Sequence, residues 1–432
     1  MSLNHLRAAA LAAALLLAAG CGGATRTAGP APSPTARLEP VTWDRTSSPD
    51  SIAAWAMRGC RTAGAQRPAC LEQALVSAIA PAGVDRVMGA LDRLFAADTT
   101  LNRHGHVFAH GIGIAAYTGS ATVSQTFAKC TPGYQSGCYH GVIQAFFADA
   151  GAGGATPERL NQLCADYRTP EGRWLQFQCA HGAGHGLMAV NGQHLIRALE
   201  GCDLFTNAGE REGCYGGAFM ENIVNATSPH HTSTTQIAGT KPAAGHDEHA
   251  NHGGGHAHAQ QEAFKALDAE EPLYPCTIVQ ERHRGACYAM QTSAILFRNR
   301  GDFAGAAKQC ERTPENMRRT CFVSLGRDAA AYAARDHNRA VELCKLASET
   351  RLSWCVIGTA KNRVDVTSDA ADGLAYCRAV PADDAKRSCY RAVGEELAAL
   401  YGTPAQRERA CSGAEAAFIN ECRSGAQVPA RE

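Results

Sequence analysis

Residues 337–367 read HNRAVELCKLASETRLSWCVIGTAKNRVDVT, and this segment predicts the fold of much of the chain. Apolar residues recur at helical spacing on both sides of a polar break at 348–350. Cys344 lies about one helical turn before the break, and Cys355 about one turn after it. In two antiparallel helices joined by a tight turn, these cysteines face each other within disulfide distance. The segment therefore predicts a helical hairpin closed by one disulfide.

The same arrangement repeats along the C-terminal half of the chain. The first cysteines of successive hairpins, at 276, 310, 344, 377 and 411, are 34, 34, 33 and 34 residues apart. A period of this length is typical of helical-hairpin repeats. The sequence has 19 cysteines, and setting Cys21 aside leaves an even 18 that fall in order into neighbouring couples. The predicted disulfides are Cys60–Cys70, Cys130–Cys138, Cys164–Cys179, Cys202–Cys214, Cys276–Cys287, Cys310–Cys321, Cys344–Cys355, Cys377–Cys389 and Cys411–Cys422.

The period and the disulfide pattern resemble those of tetratricopeptide and Sel1-like repeats. They resemble more closely the helical cysteine-rich repeat proteins of bacteria, in which each hairpin carries its own disulfide. The resemblance covers residues 265–425. It implies an all-α fold, a solenoid or toroid of helical-hairpin repeats. It implies no function, because one architecture serves many functions.

The first residues predict export from the cytosol. Residues 1–20 combine a short head containing Arg7 with an apolar core that is too short to span a bilayer. The core ends in LAAGC at 17–21, which resembles the lipobox of bacterial lipoproteins, with Ala18 where that family usually has Leu. The resemblance implies a lipid on Cys21, a membrane as partner through that lipid, and a place in the cell envelope, periplasmic or on the outer surface. The alternative is an ordinary cleaved signal peptide, which also exports the chain.

The remaining chain divides by composition. After the signal peptide we expect a lipid-anchored flexible linker at 21–49, rich in Ala, Thr, Pro and Gly. Helical repeats follow at 50–227 and at 263–425, separated by a disordered insert at 228–262, and a tail at 426–432 ends the chain. Lys plus Arg and Asp plus Glu are both 41, so the composition gives no sign of a nucleic-acid partner.

Histidine recurs at one position of successive repeats. Aligned on their cysteines, four segments read FAHG at 108–111, CYHG at 138–141, CAHG at 179–182 and CYGG at 214–217. The later repeats have Ala289, Val323, Ile357 and Arg391 at the histidine position, so the fold does not require histidine there. Equivalent positions of a repeat array point in equivalent directions. We therefore expect the histidines to line one concave surface, with Gly111, Gly141 and Gly182 removing bulk beside them.

The aligned histidines have partners at metal-binding spacing. His106 lies four residues before His110, and His185 lies four residues after His181, which places each pair on one helix face. Neutral imidazole binds zinc, copper, iron and nickel, and a divalent transition metal is the predicted cofactor. The candidate metal ligands are His106, His110, His140, His181, His185 and, in a direct or a supporting role, Glu221. The competing interpretation of any single histidine is helix capping or packing.

The insert is rich in histidine as well. His246, His249, His252, His256 and His258 stand among Gly, Ala and Thr, which predicts an exposed loop that captures divalent metals with little selectivity. The alternative is compositional drift in an exposed segment. Two other histidines, His283 and His337, are expected at the surface.

Three functions fit these features. The first is an extracytoplasmic lipoprotein that binds a transition metal through the repeat histidines and captures it with the insert. The second is a metal-dependent enzyme that uses the same histidines, with catalytic residues left open. The third is a scaffold that binds a protein partner on the concave surface of the repeats. Histidine confined to one group of repeats favours the two metal hypotheses over the scaffold.

Overall fold

The computed structural model describes residues 38–151, 155–227, 264–348, 350–381 and 383–429. The predicted signal peptide with Cys21, and the insert histidines His246, His249, His252, His256 and His258, lie outside the described residues. The description begins inside the predicted linker. There Trp43 packs edge-on against Trp55, with 5.4 Å between ring centroids, and the Trp55 indole N–H donates to the Glu39 carbonyl. These last residues of the predicted linker pack against the neighbouring helices, because Leu38 and Trp43 give them apolar surface to bury.

The described residues form helices and no strands, which confirms the all-α prediction. The helices are α1 Pro49–Gly59, α2 Arg67–Ala82, α3 Val84–Ala97, α4 Gly105–Ala116, α5 Val123–Phe127, α6 Gly137–Ala150, α7 Pro157–Leu163, α8 Arg173–Val190, α9 Leu195–Cys202, α10 Ala208–Thr227, α11 Glu281–Tyr288, α12 Gln291–Arg298, α13 Phe303–Glu311, α14 Glu315–Ala333, α15 His337–Ala347, α16 Leu352–Thr367, α17 Ala370–Ala379, α18 Asp383–Leu400, α19 Pro404–Cys411 and α20 Ile419–Gly425. Short 3-10 helices lie at Gly64–Gln66, Thr99–His104, Ala165–Tyr167 and Ala416–Phe418. Within this described part, no helix is both long and apolar enough to cross a bilayer.

Disulfides close the hairpins in the predicted order. The nine bonds join the same neighbouring couples, with Cα–Cα distances of 5.4 to 5.8 Å. In the segment quoted first, Asp336 caps α15 by accepting from the Arg339 backbone N–H, and Cys344 and Cys355 are joined. Disulfides at this density indicate an oxidising, extracytoplasmic environment.

The long second helices of successive hairpins pack against each other in two runs. One run is α4, α6, α8 and α10, and the other is α14, α16, α18 and α20; between the runs, α11 and α12 contact both α10 and α14. At the α8–α10 crossing, a Cβ on Gly184 would meet the Cys214 carbonyl oxygen, and one on Gly217 would meet the His181 carbonyl oxygen. The same reciprocal contact joins α4 to α6, α14 to α16 and α18 to α20. Glycine therefore lets these backbones touch.

These contacts correct one expectation about the glycines. Gly141 faces the His110 carbonyl oxygen, Gly182 faces Ile143, and Gly111 faces the Glu72 carboxyl group. They provide close packing between helices rather than space beside the histidines. The α14–α16 and α18–α20 crossings have the same glycine contacts without any repeat histidine, so these glycines belong to the fold.

The buried apolar residues form two clusters. The smaller one gathers α1 to α4, and the larger one includes residues on both sides of the insert, from Phe127 to Ala426. Repeats that are distant along the chain also touch. The Tyr134 backbone N–H donates to the Val366 carbonyl at 3.0 Å, and α8 contacts α18. This contact places the end of α16 beside the histidine-bearing repeats.

Candidate metal centre

Three consecutive second helices bring the repeat histidines together. His106 and His110 lie on α4, His140 on α6, and His181 and His185 on α8. The possible ligand nitrogens of His106, His140 and His185 all lie within 4.8 Å of one another. His140 and His185 are buried, at 2% and 1% exposure, and His106 is half-buried. These three side chains form what we call the histidine triad.

The other two repeat histidines flank the triad. The ring centroid of His185 lies 5.2 Å from that of His110 and 5.2 Å from that of His181. The His181 ring also stacks on the His140 ring at 4.5 Å. Both flanking residues are buried. The structure thus brings the other four repeat histidines around His185. Two of them, His106 and His140, are close enough to share one ion with it.

A carboxylate orients the central histidine. His185 Nδ1 lies 2.7 Å from Oε2 of Glu221, and Oε1 of Glu221 accepts from the Asn225 amide at 2.9 Å. Because a carboxylate accepts, Nδ1 carries the proton and Nε2 carries the lone pair. No described residue hydrogen-bonds to this Nε2. A histidine held this way by a carboxylate is typical of metal ligands. Glu221 therefore supports His185 and stands outside the triad.

Oxygen acceptors hold the other two members of the triad. His140 Nε2 lies 2.9 Å from the Gln178 side-chain oxygen, and His106 Nδ1 lies 3.1 Å from the Tyr134 carbonyl oxygen. Each ring donates one N–H, so its second nitrogen carries the lone pair that a metal needs. Within the described part of the chain, Nδ1 of His140 has no hydrogen-bond partner. In each of the three rings, the hydrogen bond to an oxygen acceptor favours the tautomer that leaves the lone pair on the other nitrogen.

Burial keeps the His140 and His181 side chains neutral. It lowers the pKa of His140 well below the usual 6.5, and the neighbouring His181, His106 and His185 lower it further. Burial likewise lowers the pKa of His181 well below 6.5, followed by the effects of His185 and His106. Desolvation and crowding of like groups both penalise the charged ring. Around neutral pH the His140 and His181 imidazoles are therefore in the neutral form, which is the form that binds metal.

Several residues at the site were not identified from the sequence. Gln178 precedes a cysteine and Tyr134 acts through its main chain, so neither has a distinctive motif. Glu72 on α2 lies against α4, and burial raises the pKa of its carboxyl group to about 7.

The surface position expected for His283 is wrong. This residue is 3% exposed, with Nε2 at 3.1 Å from Asp203, because its ring packs on a neighbouring tyrosine.

His337, the other histidine expected at the surface, is half-buried, with Nε2 at 2.7 Å from Oδ1 of Asp372. It therefore belongs to a hydrogen-bonded contact between α15 and α17 and lies outside the histidine cluster. Comparison of the chain with family models, with curated proteins and with solved structures gives no match. The function of the protein is therefore inferred from the geometry of the histidine triad.

Proposed function

We propose that this protein binds a divalent transition metal ion through the triad of His106, His140 and His185. The observation that carries the proposal is the 4.8 Å limit on the distances among their ligand nitrogens. Three imidazoles and no thiolate suit zinc, copper, nickel or iron, whereas magnesium and calcium prefer oxygen ligands. The nine disulfides occupy all described cysteines, so no described thiolate competes with the imidazole nitrogens as a ligand at this site.

We propose further that the protein is an envelope lipoprotein that captures or stores this metal. The lipid on Cys21 would hold it at a membrane, and the histidines of the insert would collect ions. The LAAGC motif and the composition of the insert support these two parts of the proposal. A protein partner on the repeats stays a prediction.

A metal-dependent enzyme is the second candidate. Three protein ligands leave a coordination position for water or substrate, as in catalytic zinc sites. A cleft that borders His106 favours this candidate over simple storage. Turnover of a substrate by the loaded protein, absent from the apoprotein, would distinguish the enzyme from a storage protein.

Metal analysis of the exported, oxidised protein tests the triad. After chelation and reloading with Zn²⁺, the bound metal per chain is measured by mass spectrometry for four proteins. These are the wild type, a His140→Ala/His185→Ala variant, a His194→Ala control and a deletion of 230–258. His194 caps α9 and lies outside the cluster, so this control keeps the tightly bound ion. We expect the double variant to lose that ion and the deletion to keep it.

The outcomes separate the two metal proposals. Unchanged tight binding in the double variant would refute the triad. Loss of weakly bound metal on deletion of 230–258 would support capture by the insert, and no change would count against it. The lipid is tested separately, by membrane fractionation of wild type and Cys21→Ala. Release of the variant supports the anchor, and equal retention contradicts it.

A further inference from the structure

A cleft of about 780 Å³ lies where the histidine-bearing repeats meet the C-terminal repeats. One wall comes from α3, the start of α4 and residues 131–135, and the other from the ends of α14 and α16 and the start of α17. His106 belongs to the lining, so the cleft borders the histidine triad. A volume of this size suits a small organic molecule.

The cleft wall contains buried hydrogen-bond donors that lack partners. Arg363 is 4% exposed; its Nη1 pairs with Asp372 at 3.1 Å, but no described residue pairs with its Nε or Nη2. The neighbouring Asn362 is 6% exposed, and its Nδ2 has no partner among the described residues. The hydroxyl of Ser368 is also buried and has no hydrogen-bond partner among the described residues. All three residues line the cleft. Buried donors of this kind are unfavourable unless something accepts from them.

The carboxylates of the lining do not meet this need. Asp372 accepts from Arg363 through Oδ2 and, at 2.7 Å, from His337 through Oδ1, so both of its oxygens are engaged. Asp92 accepts from the Tyr134 hydroxyl at 2.6 Å. The third, at position 369, caps α17 by accepting from a backbone N–H at 3.1 Å. Each carboxylate of the lining accepts at least one hydrogen bond, whereas Nε and Nη2 of Arg363 and Nδ2 of Asn362 have no acceptor among the described residues, so the complementary ligand is an acceptor.

We propose that this cleft binds a small carboxylate, held by the Nε and Nη2 edge of Arg363 and by the side-chain amide of Asn362. Nε and Nη2 share one edge of the guanidinium, and two parallel N–H donors match the two oxygens of a carboxylate. The lining contains two cations, Arg335 and Arg363, and three carboxylates, Asp92, Asp369 and Asp372, so it has no excess of positive charge and suits a monoanionic group. The N-terminus of α17 also borders the cleft, but the Asp369 carboxylate caps it, which disfavours a phosphate there. The carboxylate belongs to a free metabolite or to the C-terminus of a short peptide.

Calorimetric titration of the full oxidised chain, without added metal, tests the proposal. The probes are succinate, trialanine, trialanine amide and inorganic phosphate. We expect saturable binding of succinate or trialanine, and binding at least about tenfold weaker in Arg363→Lys, which keeps the charge but loses the paired donors. Asn362→Ala should also weaken binding and removes little packing. Arg351→Gln, at the start of the same helix, is the matched control, because Arg351 pairs with Glu311 outside the cleft.

Each outcome decides for or against the site. Binding of succinate alone indicates a metabolite, and binding of trialanine but not its amide indicates a peptide C-terminus; both support the proposal. Three results overturn it: no saturable binding of either carboxylate, equal binding of trialanine and its amide without succinate binding, or tighter binding of phosphate. Binding unchanged in both Arg363→Lys and Asn362→Ala also overturns it. Because these readouts use metal-free protein, they are independent of the histidine triad.

Discussion

Replacing Gly217 with Ala is expected to force apart α8 and α10, two helices of the candidate metal centre. Gly217 lies at the α8–α10 crossing, where an added Cβ would overlap the carbonyl oxygen of His181. The His181 carbonyl carbon would lie 2.9 Å and the Gly184 Cα 3.3 Å from the added atom. Because the obstruction is main chain, no side-chain rotation relieves it. The helices must separate, and their separation also stretches the hydrogen bond from His185 to Glu221.

The magnitude follows from two opposing effects. Overpacking a closely packed interior typically costs about 1–3 kcal/mol, and contact with backbone places this site at the upper end of that range. Alanine in a helix gains up to about 1 kcal/mol over glycine, which offsets part of the cost. We therefore expect Gly217→Ala to lose about 2 kcal/mol of unfolding free energy.

Urea unfolding with disulfides intact measures this loss, and Gly285→Ala is the matched control. Gly285 is also helical, but a Cβ there meets nothing within 4 Å, so alanine should raise stability by about 0.5–1 kcal/mol. The opposite signs of the two effects make the comparison strict. Equal or higher stability of Gly217→Ala would refute the argument that glycine is needed for backbone contact at this crossing.

Three further predictions concern the metal, the pH response and the disulfides. Glu221→Gln should weaken Zn²⁺ binding about 10–100-fold in a chelator competition, because His185 loses its carboxylate partner, whereas the exposed Glu212→Gln should not. Since the pKa of His140 lies well below 6.5 in the folded protein, folding favours its neutral ring; metal-free protein should lose stability as the pH falls through 6.5, and His140→Ala should show a smaller loss in urea midpoint. Replacing both Cys344 and Cys355 with Ala opens a loop of sequence separation 11 and should lower unfolding free energy by about 3 kcal/mol, with tightly bound zinc retained. Loss of tightly bound zinc in the variant without Cys344 and Cys355 would contradict the prediction for the disulfide. Equally weakened Zn²⁺ binding in Glu212→Gln would contradict the prediction for Glu221.

The helical hairpins could be predicted because local sequence determines them. Residues 337–367 contain both helical periodicity and a disulfide couple, and the structure has α15 His337–Ala347 and α16 Leu352–Thr367 on either side of the break. Contacts between distant repeats could not be predicted. The bond from Tyr134 to Val366 joins main-chain groups in two different repeats, and main-chain groups are the same in every residue.

The candidate site was predictable in its residues and not in its geometry. The alignment on cysteine identified the histidines because their position lacks histidine in the later repeats. It did not indicate which three come within ligand distance, since His110 and His181 are equivalent to His140 in sequence and flank the triad in space. The partners that fix the tautomers, Gln178 and the Tyr134 carbonyl, come from other segments and have no repeat signature.

The close helix packing is what makes the triad geometrically feasible. Ordinary helix pairs pack with axes about 8–10 Å apart, at which distance side chains on neighbouring helices interdigitate. At the α4–α6 crossing, Gly113 and Gly141 let main chain meet main chain, and Gly182 brings α8 against α6. Rings from three successive helices can then converge on one ion. The α14–α16 crossing has the same contact through Gly326 and Gly358, with Val323 and Ile357 at the histidine position. The packing is therefore common to both groups of repeats, and histidine distinguishes the repeats that form the candidate metal centre.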